Sequence, residues 1–163
     1  MKLPFSKFLT AAITVAGMVA PAPAQPVSQN MELMGAIARE IVNSGEPQGV
    51  DWVEVCAIFS LDADGDVNGS YGYVYDAQGQ AHAAAFLEDP IEREVKAYRD
   101  WLLHGGRKGD KGLIKMLFQF NRQTRRVRAD FEYEDPRRWQ VTPANLDARV
   151  KELRPHLGTA DGK

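Results

Sequence analysis

Hydrophobic positions recur along this chain at two spacings, and the changes of spacing mark out its elements. Met34, Ile37, Ala38, Ile41 and Val42 repeat at helical intervals with Glu32, Arg39 and Glu40 on the other faces, and Asn43-Ser44-Gly45 ends the run, which predicts a first helix. From Asp51 to Leu61 the period becomes two. Val53, Val55, Ala57, Phe59 and Leu61 line one face, while Trp52, Cys56 and Ile58 keep the other partly apolar. A strand apolar on both sides is central in its sheet or covered on both faces. Tyr71-Gly72-Tyr73-Val74-Tyr75 predicts a second strand carrying a row of tyrosines, and Ala77-Gln78-Gly79 turns it into a third, Gln80 to Leu87.

Asp89-Pro90-Ile91-Glu92 then gives a cap, a proline at the first helical position and a capping-box glutamate. The helix is expected to run to about His104 and to stop at Gly105-Gly106, with Ile91, Val95, Tyr98 and Leu102 on its apolar face. The stretch from Arg107 to Gly112 reads as a flexible connector, because it lacks the spacing of a phosphate loop and leads into a strand. Ile114, Met116, Phe118 and Phe120 alternate, as do Val127, Ala129, Phe131 and Tyr133 after a turn near Arg122-Gln123-Thr124, which predicts a hairpin with one core face. Asp135-Pro136 ends it. Trp139 is expected to close the core beneath a last helix that Thr142 caps and Pro143 opens, with Leu146, Val150, Leu153 and Leu157 on one stripe. The order α-β-β-β-α-β-β-α has no βαβ alternation, so the fold class is α+β: an antiparallel sheet of about five strands with three helices packed on it.

Residues 1–24 read as a signal peptide. Lys2 and Lys7 form a basic start, Phe8 to Ala20 is an apolar run too short to span a bilayer, and Ala22 and Ala24 occupy the small-residue positions of a cleavage site. Export to the periplasm or the medium is therefore expected, with cleavage after Ala24 and no stable membrane anchor afterwards. Residues 25–30 would be a flexible N-terminal tether, 31–157 one α+β domain and 158–163 a polar C-terminal tail. The 20 basic and 22 acidic residues leave an acidic excess of two, and losing Lys2 and Lys7 with the leader makes it four. That balance, with arginines scattered among acids, argues against nucleic-acid binding. Cys56 is the sole cysteine, so no intramolecular disulfide forms, and it reads as a small buried apolar residue.

Candidate chemistry is sparse. Asp62, Asp64 and Asp66 stand at alternate positions as calcium ligands do, but the sixth position of such a loop would be Val67 and the twelfth Tyr73, so a hairpin loop is the first reading and weak calcium binding the second. His82, His104 and His156 share no ligand or nucleophile spacing. Neither a catalytic constellation nor a cofactor motif stands out, and no enzyme activity is expected. The outward positions of the last hairpin, Arg126, Arg128, Asp130, Glu132 and Glu134, form a mixed-charge face that either is only solvated or binds a partner protein.

The alternating strand closing in Phe131-Glu132-Tyr133-Glu134-Asp135, Trp139 shortly after it, a last helix led by Pro143, Trp52 at the start of the first strand, and the element order together resemble the YezG-like immunity protein family. The resemblance spans most of the chain after the leader. It implies a small α+β protein that neutralises a cognate secreted toxin, often a nuclease, by binding it without a cofactor. Family members act inside the cell, whereas this chain carries a leader. The expectation is thus a non-catalytic binding module of the immunity or antitoxin type that occludes a partner; the alternative is an exported small-ligand-binding or hydrolytic domain sharing only the fold.

Overall fold

A computed structural model of the chain describes residues 28–45, 49–106 and 112–158. The predicted leader, residues 25–27 of the tether, the connector from Arg107 to Lys111 and the tail from residue 159 lie outside the described residues. Helix α1 (Gln29–Asn43) is followed by strands β1 (Trp52–Leu61), β2 (Val67–Asp76) and β3 (Ala81–Ala84), then helix α2 (Asp89–Trp101), strands β4 (Lys115–Asn121) and β5 (Arg126–Glu132), and helix α3 (Leu146–Glu152). All strand pairs are antiparallel, in the spatial order β3-β2-β1-β4-β5. The fold is α+β with the element order that the periodicity predicts. No helix among the described residues is long and apolar enough to cross a membrane.

Two cores sandwich the sheet. On one face α1, through Met34, Ile37 and Ile41, and α2, through Ile91, Val95 and Tyr98 with Leu102 just after it, pack on Val55, Ala57, Phe59 and Phe118. On the other face Cys56, Ile58, Tyr75 and Leu117 pack under Trp139 and Leu153. This is why β1, in the middle, is apolar on both sides. The strands lie so close at Gly72 that a Cβ there would stand 2.0 Å from the Cys56 carbonyl oxygen, so only glycine fits between the tyrosines.

The layer beyond the second core has little regular structure of its own, since α3 has only seven residues and a helix that short is unstable alone. Sheet side chains hold it by its backbone carbonyls. Tyr71 Oη donates to Trp139 O (3.0 Å), Tyr75 Oη to Val150 O (2.7 Å), Gln119 Nε2 to Leu153 O (2.9 Å) and Thr124 Oγ1 to Leu157 O (2.8 Å). Arg154 Nε meets the buried Glu54 carboxylate at 2.8 Å. Two tyrosines of the predicted row, Tyr71 and Tyr75, are thus donors for the C-terminal segment.

Several boundaries differ from the expectation, each for a local reason. Residues 28–30 are not tether: Ser28 Oγ accepts from the Met31 N–H and caps α1, which starts at Gln29. Trp52 packs with Val55 and Phe59 on the helix side, not with Cys56 and Ile58, because a register shift between Trp52 and Glu54 inverts the alternation. β2 begins at Val67, before the tyrosine row, since Gly69 and Val67 still pair with Ser60 and Leu61. β3 stops at Ala84, where the Phe86 N–H turns to Ser70 Oγ and its ring enters the helix-side core. α2 opens at Asp89, with Glu88 in the cap position and no side-chain cap, because the Glu92 N–H closes the first turn on the Glu88 carbonyl. Its end widens into a π-helical turn over Leu102–Gly106. Thr142 and Pro143 do not open α3: the Asn145 side chain accepts from the Thr142 N–H (2.7 Å) and donates to Gln140 O (3.1 Å), making a separate turn, and the helix starts at Leu146, which is exposed.

Candidate partner-binding surface

Alternation along β5 sends Val127, Ala129 and Phe131 to the helix-side core and Arg126, Arg128, Asp130 and Glu132 to the opposite face. Glu134 follows, exposed, just past the strand. The five residues singled out from the sequence do share one edge of the sheet, but they are not one free row. Arg126 donates from Nη1 to Gly158 O (3.1 Å), and Arg128 pairs with Asp130 (3.0 Å) with 61% of its own side chain exposed. Glu132 is committed to the chain itself. Its Oε1 accepts from the N–H groups of Tyr133, Glu134 and Asp135 at 2.9, 2.8 and 3.0 Å, and its Oε2 from Arg138 at 2.9 Å. The Asp135 and Glu134 amides, then the Arg138 guanidinium, hold its carboxyl down to about 2. It shapes the turn that aims the chain at Trp139.

Charge is ordered along the hairpin. Arg122, Arg125, Arg126 and Arg128 stand at the turn end, while Asp130, Glu132, Glu134 and Asp135 stand at the other, where Lys115 lies opposite Glu132 and Arg137 and Arg138 pair with Asp135 and Glu132. Arg122 lies over the Trp52 ring at 4.9 Å and donates to the Trp52 carbonyl at 3.2 Å. Arg125 has φ 56°, the left-handed region, and projects from the turn with no hydrogen bond or ion pair among the described residues.

An open groove of about 470 Å³ runs between α1 and this hairpin. Ala38 and Phe120 are its buried lining, Val42 and Val127 are half-buried, and Arg39 and Arg125 are exposed at it. Met31 is 51% exposed at the same groove. Gly35 belongs to it too, and a Cβ added there meets nothing within 4 Å. A glycine inside a helix costs about 0.5–1 kcal/mol relative to alanine, and no neighbouring atom in the fold requires this one. Periodicity along the chain carries no sign of the groove, because it arises only when α1 lies across the hairpin.

The other candidates have structural duties. Asp62 Oδ1 accepts from the Asp64 and Asp66 N–H groups at 3.0 Å each, Arg99 donates to the Ala63 and Asp64 carbonyls, and Lys96 pairs with Asp66, whose carboxylate raises the lysine's pKa. The loop is a hairpin turn clamped to α2. His82 Nε2 meets Asp76 Oδ2 at 3.1 Å beside the β2–β3 turn, and this bond is the main cause of the lowered Asp76 pKa. Burial pushes the Cys56 thiol up to about 11. Lys115, buried in a cleft with Tyr71 and Gln140, donates to Arg138 O at 3.2 Å, and desolvation lowers its pKa. Among the described residues no three His, Cys, Asp or Glu side chains are grouped to hold a metal ion.

No family model matches the chain. It is similar to phytochrome D of Arabidopsis thaliana, 32% identical over 111 residues that make up 66% of this chain. The chain spans 9% of the length of that curated relative.

Proposed function

We propose that this chain is a non-catalytic protein-binding domain of the immunity type, exported to meet its partner and acting by occlusion. The observation that supports this reading is the charge order along the outward positions of the edge strand β5, Arg126 and Arg128 towards the turn and Asp130, Glu132 and then Glu134 away from it. A face so ordered fits a partner of opposite order in one orientation, since the reversed orientation sets like charges against each other. Complementary charge also speeds association. In this reading Arg126, Arg128, Asp130 and Glu134 meet the partner while Glu132 keeps the turn in shape, and no cofactor takes part. The resemblance to the YezG-like family supplies the class of partner, a toxin. The test is capture of the partner on the immobilised chain, followed by association kinetics with Arg126→Glu/Arg128→Glu. The association rate should fall about tenfold at low ionic strength, and the difference should shrink as salt screens it. Equal rates at low and high salt would overturn the reading.

A further inference from the structure

We infer that the groove between α1 and the β4–β5 hairpin is a docking site for an acidic amphipathic helix of another protein. From Met31 to Val42 the α1 side of the groove extends over about 16 Å at 1.5 Å per residue, roughly three helical turns. A helix laid along it would place apolar side chains at one-turn intervals against Ala38, Val42, Phe120 and Val127. Gly35 leaves room for its closest approach, since beyond its own stretch of helix no described atom lies within 4 Å of the place where a Cβ would be. Charge selects the sign of the occupant. Arg39 and Arg125 have no ion pair among the described residues, and Arg122 reaches only the Asp51 carboxylate, 91% exposed, at 3.4 Å. Among the described residues no acidic side chain lines the groove. Glutamates flanking the apolar stripe of the incoming helix would therefore find three guanidinium groups, two of them uncommitted. This inference does not depend on the immunity reading, because such a helix would dock whatever the partner's activity.

The probe is a synthetic amphipathic peptide with leucines at helical spacing and glutamates beside them, and its control carries lysine in place of each glutamate. Titrated into the labelled full-length chain and followed by NMR, the acidic peptide should shift the amide signals of Gly35, Arg39, Val42 and Val127 with micromolar affinity, and the basic peptide should not. Gly35→Leu puts a side chain where an added Cβ meets nothing within 4 Å, so it should weaken binding about tenfold or more while the melting temperature, helped by losing a mid-helix glycine, is not lowered. Arg39→Glu should weaken it in the same direction, and the difference from the unaltered chain should shrink as salt screens it. Shifts confined to other surfaces, or peptide affinity unchanged in both variants, would overturn the inference. So would equal binding of both peptides, or binding to phosphatidylglycerol vesicles with none to the peptide, which would assign the groove to a membrane surface.

Discussion

Truncating Trp139 separates two opposing effects at one residue. Its ring is 6% exposed and packs with Cys56, Ile58, Leu117 and Leu153, with the Arg138 guanidinium 4.5 Å above it. Its backbone, however, has φ 60°, in the left-handed region. That conformation costs a residue with a Cβ about 1–2 kcal/mol, and burying the ring offsets it. Trp139→Ala removes the ring and keeps the strain, so the expected loss is the usual one for a buried aromatic, about 3–5 kcal/mol. Trp139→Gly removes the ring and the strain together and should be less damaging by about 1 kcal/mol, the reverse of the order found at ordinary helix or strand positions. The hydrogen bond from Tyr71 to the Trp139 carbonyl survives in both variants. Urea unfolding followed by far-UV circular dichroism measures the difference. With a slope of about 2 kcal/mol per molar, the alanine variant should lose about 2 M in midpoint and the glycine variant about 0.5 M less. A glycine variant weaker than the alanine one would refute the strain argument. An alanine variant with an unchanged midpoint would refute the burial argument and release the ring for contact with a partner.

Glu132→Gln should lower the melting temperature at neutral pH. A carboxyl held at about 2 in the fold and 4.5 in the unfolded chain adds stability that is fully present above 4.5 and fades as pH falls towards 2, so the variant's acid-unfolding curve should be flatter in that window; an identical curve would contradict the role given to Glu132. Cys56, fully buried and raised to about 11, should be inert to Ellman's reagent at pH 8 in the native protein and react once the chain is unfolded in guanidinium; rapid labelling of the native state would contradict its burial. Export predicts a secreted or periplasmic form beginning at Gln25, and mass spectrometry that finds Met1 or Lys2 as the dominant start in a cytoplasmic fraction would sink it.

The elements that the sequence disclosed are those whose period is set by burial on one face. The stripe of Ile91, Val95, Tyr98 and Leu102 on α2 and the alternation of Met116, Phe118 and Phe120 on β4 are legible because a helix or strand must turn the same face to the core throughout. What the sequence hid are single hydrogen-bonding choices. One bulge inverts Trp52, and one asparagine at 145 folds back on Thr142 and Gln140 and delays the last helix. Of the candidate surface, the alternation correctly placed Arg126, Arg128, Asp130 and Glu132 away from the helix-side core. It could not show that Glu132 turns its carboxylate onto the next three amides, because any glutamate at a strand end has the same pattern. The groove at Gly35 depends on how a helix crosses a hairpin far from it in sequence, and no local periodicity encodes that.

Binding through the hairpin face is tested most directly by photo-crosslinking. A benzoylphenylalanine placed at position 128, where the arginine side chain is 61% exposed on the edge strand, should yield one covalent adduct with the partner protein. The same group at the exposed Gln78, in the β2–β3 turn at the other edge of the sheet, should yield none. An adduct at position 78 with none at 128, or no adduct at either position, would contradict occlusion by this face.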